Sequence, residues 1–390
     1  MATTTTTTTN TDRRHQYISL ELDASTELRD CKHAAHCLLY SSADCSGRHL
    51  VLLQMRFDGL LGFAGGEVEV ADVTVADIVD ATNRELEEEI NYRFDGVTRD
   101  DWICTHRDSG SPFVQHFFAK ELTADQLRQL ETTHTTAEHF PCESLGLFRV
   151  PIGGFDQKGT SRKFLINFLG QRFAGNARQQ FIETVKKLSL VSDDDLKWME
   201  SHSELTTDSG LAVGSETGIE IKTLLRTDLD VHYYDESVNV TYGLMIVRED
   251  GLFDFVGRHY VSSGDNVGGG DDTDSNRKLW LQSLRQHIVH DLGKDIIPLE
   301  QTTSDVISVD NNLCHIFDIQ LSDSHFCQIE TNLVESTNYG CKVFGIFRVP
   351  LVFRGSTSKA NQYVQRFFNG FLSQRFAGNS RNHIKHIYDK

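Results

Sequence analysis

The chain has 390 residues, enough for two domains that each bury a core. Hydrophobic residues at 39% and charged residues at 24% are globular proportions, which exclude a largely disordered chain. A formal charge of −18 excludes a broad basic surface gripping nucleic acid regardless of sequence, and leaves room only for a local basic groove.

The N-terminal segment is a threonine run, Thr3 to Thr9, followed by Asp12-Arg13-Arg14. It lacks the apolar stretch of a secretory signal, and residues 1–16 are predicted to form a disordered tail. No apolar run approaches the roughly 20 residues of a membrane helix. The eight cysteines (31, 37, 45, 104, 142, 314, 327 and 341) form no CxxC pair and no zinc-knuckle spacing. They read as reduced thiols, and the chain as a soluble intracellular protein.

A first domain is predicted over residues 17–200. Strand-like runs at Leu50–Met55 and Phe113–Phe118 flank a helical pattern, and an amphipathic helix follows around Arg178 to Leu188. Gly62-Phe63-Ala64-Gly65-Gly66 ends a strand in glycines, which permit close approach of backbone to a phosphate or metal. Thr74 and Asp77 have the spacing of a capping box, predicting a helix that starts there. Ile78, Val79, Leu86 and Ile90 then share one face, and Glu85, Glu88 and Glu89 gather on another. Two carboxylates about 6 Å apart repel by roughly 0.7 kcal/mol in water and about 3 kcal/mol at an effective dielectric near 20. In solvent the cluster is tolerable, and it reads there as an ordinary acidic face. Lining a cleft it would want a hard divalent cation such as magnesium or manganese.

Residues 201–218, rich in Ser, Thr, Gly and acidic residues, read as a linker. Beyond it the chain repeats itself. Leu145-Gly146-Leu147-Phe148-Arg149-Val150-Pro151 recurs as Phe344-Gly345-Ile346-Phe347-Arg348-Val349-Pro350, and Gln171-Arg172-Phe173-Ala174-Gly175-Asn176 recurs identically from Gln374 to Asn379. So long a period implies a duplicated domain, with the second copy over 219–390.

GFAGGEVE followed by NRELEEEIN resembles the Nudix box, G-x5-E-x7-R-E-U-x-E-E-x-G-U. HAAHCLLY (33–40), QMRFDGLLGFAGG (54–66), NRELEEEI (83–90), QHFFAK (115–120) and LGLFRVP (145–151) extend the resemblance to the snoRNA-decapping, inosine-diphosphate-hydrolysing branch of that superfamily. The fold this implies is α/β: two Nudix-like α/β/α sandwiches in tandem. The activity it implies is metal-dependent hydrolysis of a nucleoside diphosphate linkage, in capped RNA, inosine or deoxyinosine diphosphate, or ADP-ribose, in the nucleus, nucleolus or cytoplasm.

By the resemblance, Glu85 and Glu89 with the Gly65 carbonyl would hold Mg2+ or Mn2+. Glu88 would join them or orient water, and Arg84 would position a glutamate through a bidentate pair. His106 matches a manganese-binding position, His36 and Arg56 contact base or ribose, Phe63 stacks on the base, and Gln180 bonds its edge. Read without the resemblance, His106 is a surface-loop histidine, and His36 and Phe63 are core. Three positions depart from the branch. Ala76, beside Asp77, stands where the box has a glutamate, Asn91 replaces a glycine, and Glu67 replaces an aromatic residue.

The second copy lacks the carboxylates. Arg248-Glu249-Asp250-Gly251 aligns with Arg56-Phe57-Asp58-Gly59, and Phe255 with Phe63. Gly257-Arg258 replaces Gly65-Gly66, and a Gly-rich acidic loop, Ser262 to Asp274, replaces the helix entry. Gln286, His287, His290 and Asp291 fall at the places of Arg84, Glu85, Glu88 and Glu89, and Asp305 at that of His106. His287, His290 and Asp291 could bind a softer cation, but loss of function on a retained scaffold is the simpler reading. Enzymes of the branch are commonly dimers, so the second copy is expected to pair with the first within the chain, the alternative being a homodimer. Arg172, Arg178, Lys186 and Lys187 would form a basic track if the substrate is RNA. A non-catalytic RNA-binding or scaffolding protein is the competing class.

Overall fold

The computed structural model describes residues 17–42, 48–108, 112–153, 160–203, 218–233, 236–256, 259–262, 282, 286, 302–309, 312–354, 358–378 and 380–388. The first copy contains β1 (Tyr17–Leu20), α1 (Leu22–Ser25), β2 (Lys32–Ser41), β3 (His49–Arg56), β4 (Leu61–Gly62), β5 (Ala64–Glu67) and α2 (Val75–Ile90). It continues with β6 (Trp102–Asp108), β7 (Phe113–Glu121), α3 (Ala124–Thr133), β8 (Ser144–Ile152), α4 (Thr160–Leu169), α5 (Ala177–Lys187) and α6 (Asp193–Ser203). The second copy has β9 (Gly218–Tyr233), β10 (Glu236–Arg248), β11 (Phe253–Phe255), β12 (His259–Ser262), β13 (Thr302–Val309), β14 (Asn312–Gln320), α7 (Asp323–Glu335), β15 (Val343–Arg354), α8 (Ser358–Phe371) and α9 (Ser380–Tyr388).

Helix α2 forms where its signals place it. The Thr74 hydroxyl accepts the Asp77 N–H, the Asp77 carboxylate accepts the Thr74 N–H, and the two close the capping box. Asn91 ends the helix in the left-handed conformation at φ 58°, a role an asparagine shares with glycine. Ile78, Leu86 and Ile90 are buried against Leu39, Leu52 and Phe118 of the sheet, while Ala76 in the first turn is exposed.

The two α/β copies stand in tandem as expected, and they are joined edge to edge. Their strands form one mixed sheet in the order β1-β6-β7-β2-β3-β8-β15-β10-β9-β14-β13, with β4, β5, β11 and β12 pairing at its margins. The crossing is narrow: β8 and β15 run antiparallel with Gly345 opposite Phe148. It is also close. A Cβ on Gly345 would lie 2.0 Å from the Phe148 Cβ, and one on Gly146 would lie 2.5 Å from the Ile346 carbonyl oxygen. The glycine of each repeated motif therefore admits the other motif's backbone and phenylalanine.

One face of the sheet carries a core common to both copies, in which Phe164 and Phe168 of α4 join Phe148, Tyr242, Phe253, Phe347 and Phe367. The opposite face carries two separate cores, under α2 and α3 in the first copy and under α7 in the second. The tail 1–16, residues 204–217 of the predicted linker, the acidic loop beyond Ser262, Gly257-Arg258 and His287, His290 and Asp291 lie outside the described residues.

Candidate active site

Glu85 and Glu89 project from one face of α2 toward strand β5, which carries Gly65 and Gly66. Ligand atoms of Glu85, Glu89 and Glu143 lie within 4.8 Å of one another. Glu89 is 4% exposed and its Oε2 accepts the Gly65 N–H at 2.8 Å and the Gln54 amide at 3.2 Å. Gly65, at φ +144°, comes so close to β2 that a Cβ would meet the Ala35 carbonyl oxygen at 2.1 Å, and a Cβ on Gly66 would meet the Glu85 carboxylate. These two positions of β5 are thus glycine because the backbone must touch both the neighbouring strand and the acids.

Burial pushes the Glu89 carboxyl up to about 8, and it also raises that of Glu85. Glu143, at the entry to β8, was not singled out in the sequence, since a lone glutamate ahead of a strand carries no pattern. Arg84 does not pair in bidentate fashion with one glutamate. Its Nη1 reaches Glu88 at 2.5 Å and its Nη2 reaches Glu85 at 2.7 Å, bridging the two, and Glu88 is not among the converging ligand atoms. Three hard oxygen donors converge, and Gln54 keeps a buried Oε1 without a hydrogen-bond partner. That donor set fits Mg2+ or Mn2+.

His36, Arg56, Phe63 and Gln180 come from four different segments. His36 pairs across β2–β5 with Gly65, which sets it beside the carboxylate floor. Burial, and then the Arg56 cation, push its imidazole down to about 3, so it is neutral and suited to hydrogen bonding. Arg56 is held by Asp58 at 3.2 and 3.3 Å. Gln180 on α5 is 3% exposed, and its Nε2 is buried with no hydrogen-bond partner. Phe63 is 2% exposed and packs edge-on against Phe117 at 5.0 Å, the position of a core ring.

His106 sits elsewhere. It lies on strand β6 rather than in a surface loop, is fully buried, and is separated from β2 by β7. Its Nε2 meets Glu183 of α5 at 3.0 Å and its Nδ1 meets Asn176 at 2.8 Å, in a group that includes Cys104. His106 is thus not in the Glu85–Glu89–Glu143 group, but with Cys104 and Glu183 it forms a second group whose ligand atoms lie within 4.8 Å of one another, at the foot of α5. The basic track is also reduced. Lys187 donates to the Trp102 and Ile103 carbonyls at 2.9 and 2.8 Å, and Arg178 donates to the Gln171 carbonyl. Arg172 and Lys186 are exposed.

In the second copy the corresponding positions occupy one another. Lys222 precedes Thr223-Leu224-Leu225 as His36 precedes Cys37-Leu38-Leu39. It is fully buried, 3.2 Å from Asp254, bonded to Ser380, and 5.5 Å from the centre of the Phe255 ring. Asp254 stands at the place of Gly62, and its other oxygen takes Arg248, the counterpart of Arg56, at 3.1 Å. Lys342 stands at the place of Glu143. Gln286 lies in a helix and is exposed, and Asp305 falls opposite Ile316 on β13.

The Nudt16-like family, described as U8 snoRNA-decapping enzyme-like, matches the chain twice, over residues 33–191 and 223–388. The chain is 38% identical to the U8 snoRNA-decapping enzyme of Mus musculus over 171 residues, covering 42% of this chain and 84% of that one. It is 31% identical to the Xenopus laevis enzyme of the same name over 189 residues, 46% of this chain and 86% of the relative. The Tudor-interacting repair regulator protein of Homo sapiens is 33% identical over 171 residues, 42% of this chain and 77% of that protein.

Proposed function

Because the chain belongs to the Nudt16-like family of Nudix hydrolases, we propose that its first copy hydrolyses the diphosphate linkage of a capped RNA or a free nucleotide with Mg2+ or Mn2+. The convergence of Glu85, Glu89 and Glu143 within 4.8 Å, on a floor where Glu89 is buried, carries this reading. Glu85, Glu89 and Glu143, with the Gly65 carbonyl, would hold the cations. A divalent cation held by these groups would supply polarisation of a phosphoryl oxygen and a lowered pKa for a bound water.

The chain's own groups do the rest. Arg84 fixes Glu85 and Glu88, and the β5 glycines bring main chain against the acids. Neutral His36, Arg56 and the unpartnered amide of Gln180 bind and orient the nucleoside, with Phe63 closing the pocket behind it. His106 anchors α5, and through it Gln180, to β6. The second copy is non-catalytic. It supplies in cis the surface that a partner subunit would provide, and Lys222 and Asp254 fill what would be its nucleoside pocket.

The test is a panel of inosine diphosphate, ADP-ribose and capped RNA with Mg2+ or Mn2+, with Glu89→Gln as control. No turnover of any of them by the wild type would overturn the enzymatic reading. Turnover unaffected by Glu89→Gln would overturn the site instead. Lys342 in place of Glu143 favours a second reading for the second copy alone, as a non-catalytic binding module.

A further inference from the structure

Most of the motif contacts between the copies are reciprocal, and among the described contacts that are not, one reaches the carboxylate group. Tyr363 lies on α8 of the second copy, yet its hydroxyl donates to the carbonyl of Cys142, the residue before Glu143. Its ring stacks on Phe57 at 5.7 Å and 21°. The Phe57 N–H in turn donates to the Glu143 carbonyl at 3.0 Å. One turn along α8, the Arg366 guanidinium lies 5.0 Å from the centre of the same Phe57 ring and 3.9 Å from Asp58 Oδ2. Counting back from the matched glutamines Gln171 and Gln374, the α4 position equivalent to Tyr363 is Thr160, which has no ring.

Glu85 and Glu89 are fixed by a capped helix. Glu143 sits ahead of a strand, on a turn closed by its own N–H to the His139 carbonyl at 2.9 Å, and its side chain is 46% exposed. Such a group gains most from an external brace, because an outer partner that fixes a ligand removes freedom the ligand would otherwise lose on binding. The braced loop lies in the copy that has the carboxylates. The copy that supplies the brace has Lys342 at the Glu143 position.

We propose that Tyr363 of the second copy is a positioning residue for Glu143: its hydroxyl on the Cys142 carbonyl and its ring on Phe57 fix the loop that presents the third carboxylate to the cation. This rests on the reading of Glu85, Glu89 and Glu143 as the metal group. The degenerate copy thereby tunes the catalytic copy's metal affinity without touching metal or substrate.

The test is Mn2+ binding to the full chain without substrate, followed by electron paramagnetic resonance of free Mn2+, with melting temperature measured in parallel. Tyr363→Phe keeps the ring and removes the hydroxyl. It should weaken Mn2+ binding roughly tenfold, at the low end of what outer partners contribute, while the melting temperature moves by no more than about 2 °C, a change under roughly 1 kcal/mol. In a Glu143→Gln background Tyr363→Phe should add nothing, since its effect passes through Glu143. Unchanged Mn2+ affinity in Tyr363→Phe, with a loss in Glu143→Gln, overturns the proposal and leaves the site reading standing. A loss in Tyr363→Ala but not in Tyr363→Phe also overturns the hydroxyl brace. Unchanged affinity in Glu143→Gln overturns the reading of the site, and the proposal with it.

Discussion

Gln171 and Gln374 each hydrogen-bond the main chain that follows the other. The Gln171 amide donates to the Arg375 and Gly251 carbonyls at 3.1 Å and accepts the Arg375 N–H at 2.5 Å. The Gln374 amide donates to the Arg172 and Gly59 carbonyls at 3.0 and 2.8 Å and accepts the Arg172 N–H at 2.6 Å. Both side chains are fully buried. This is the self-complementary pattern of a two-fold interface, made inside one chain.

Removing either amide strands buried main-chain groups, so Gln171→Leu and Gln374→Leu should each destabilise by about 2–4 kcal/mol. Chemical denaturation of the full chain measures this, and the double variant should fall short of the sum because each amide holds the main chain beside the other glutamine. Losses under about 0.5 kcal/mol would show that water replaces the amides without penalty.

The same geometry explains which parts of the sequence were legible. The repeated strings identified a duplication, but periodicity gave no reason for their identity. The structure supplies one. Gly146 and Gly345 admit each other's strands, Gln171 and Gln374 cross-bond, and Arg149 and Arg348 pair with Glu131 and Glu330 while stacking on Tyr339 and Phe140 of the opposite copy. The repeats mark a seam rather than chemistry. Helix α2 was legible because its caps, apolar face and glutamates are local signals. Glu143, the Lys222–Asp254 pair and the inward turn of His106 depend on contacts between distant segments, which no local pattern encodes.

Gly345→Ala tests the seam most directly. A methyl group there would collide with Phe148, and neither strand can retreat without opening the sheet between the copies. Overpacking of this kind carries about 1–3 kcal/mol or more. Thermal melting should fall by several degrees, and a melt unchanged within error would mean the copies cross less closely than this.

Lys222→Ala would leave Asp254 buried at 1% exposure with one cation removed. Breaking a buried pair from one side typically costs about 3–5 kcal/mol. Lys222→Leu combined with Asp254→Gly should recover much of that, since the unpaired charge is then gone. A denaturation midpoint for Lys222→Ala equal to the wild type would show that Arg248, the Ser380 hydroxyl and the Phe255 N–H carry the carboxylate without Lys222.

Acid should destabilise the chain through buried histidines. Burial, with His33 and His36 adding to it, pushes the His116 imidazole down to about 3, and burial pushes His134 down to about 4, from an ordinary value of 6.5. A histidine whose folded value lies below its unfolded one contributes stability above pH 6.5 and loses it as pH falls toward the folded value. At pH 5 each would forfeit up to about 2 kcal/mol. Melting temperature should therefore fall between pH 7 and pH 5, and His116→Gln should flatten that slope. An unchanged slope would assign the acid sensitivity to other groups.

Glu89→Gln separates fold from function. The carboxylate is buried beside two others, so in the absence of a cation it weakens the fold, and a neutral amide of the same shape relieves that. The Gly65 N–H and the Gln54 amide, which now donate to Glu89, keep an acceptor in the glutamine oxygen. The variant should melt no lower than the wild type in chelator. A cation that binds the folded chain stabilises it by mass action, about 2.7 kcal/mol at a hundred times its dissociation constant. Saturating Mn2+ should raise the wild-type melting temperature and leave Glu89→Gln nearly unmoved, while hydrolysis in the variant falls at least a hundredfold. Equal thermal shifts in both proteins would place the cation away from Glu89 and remove the basis for the active-site assignment.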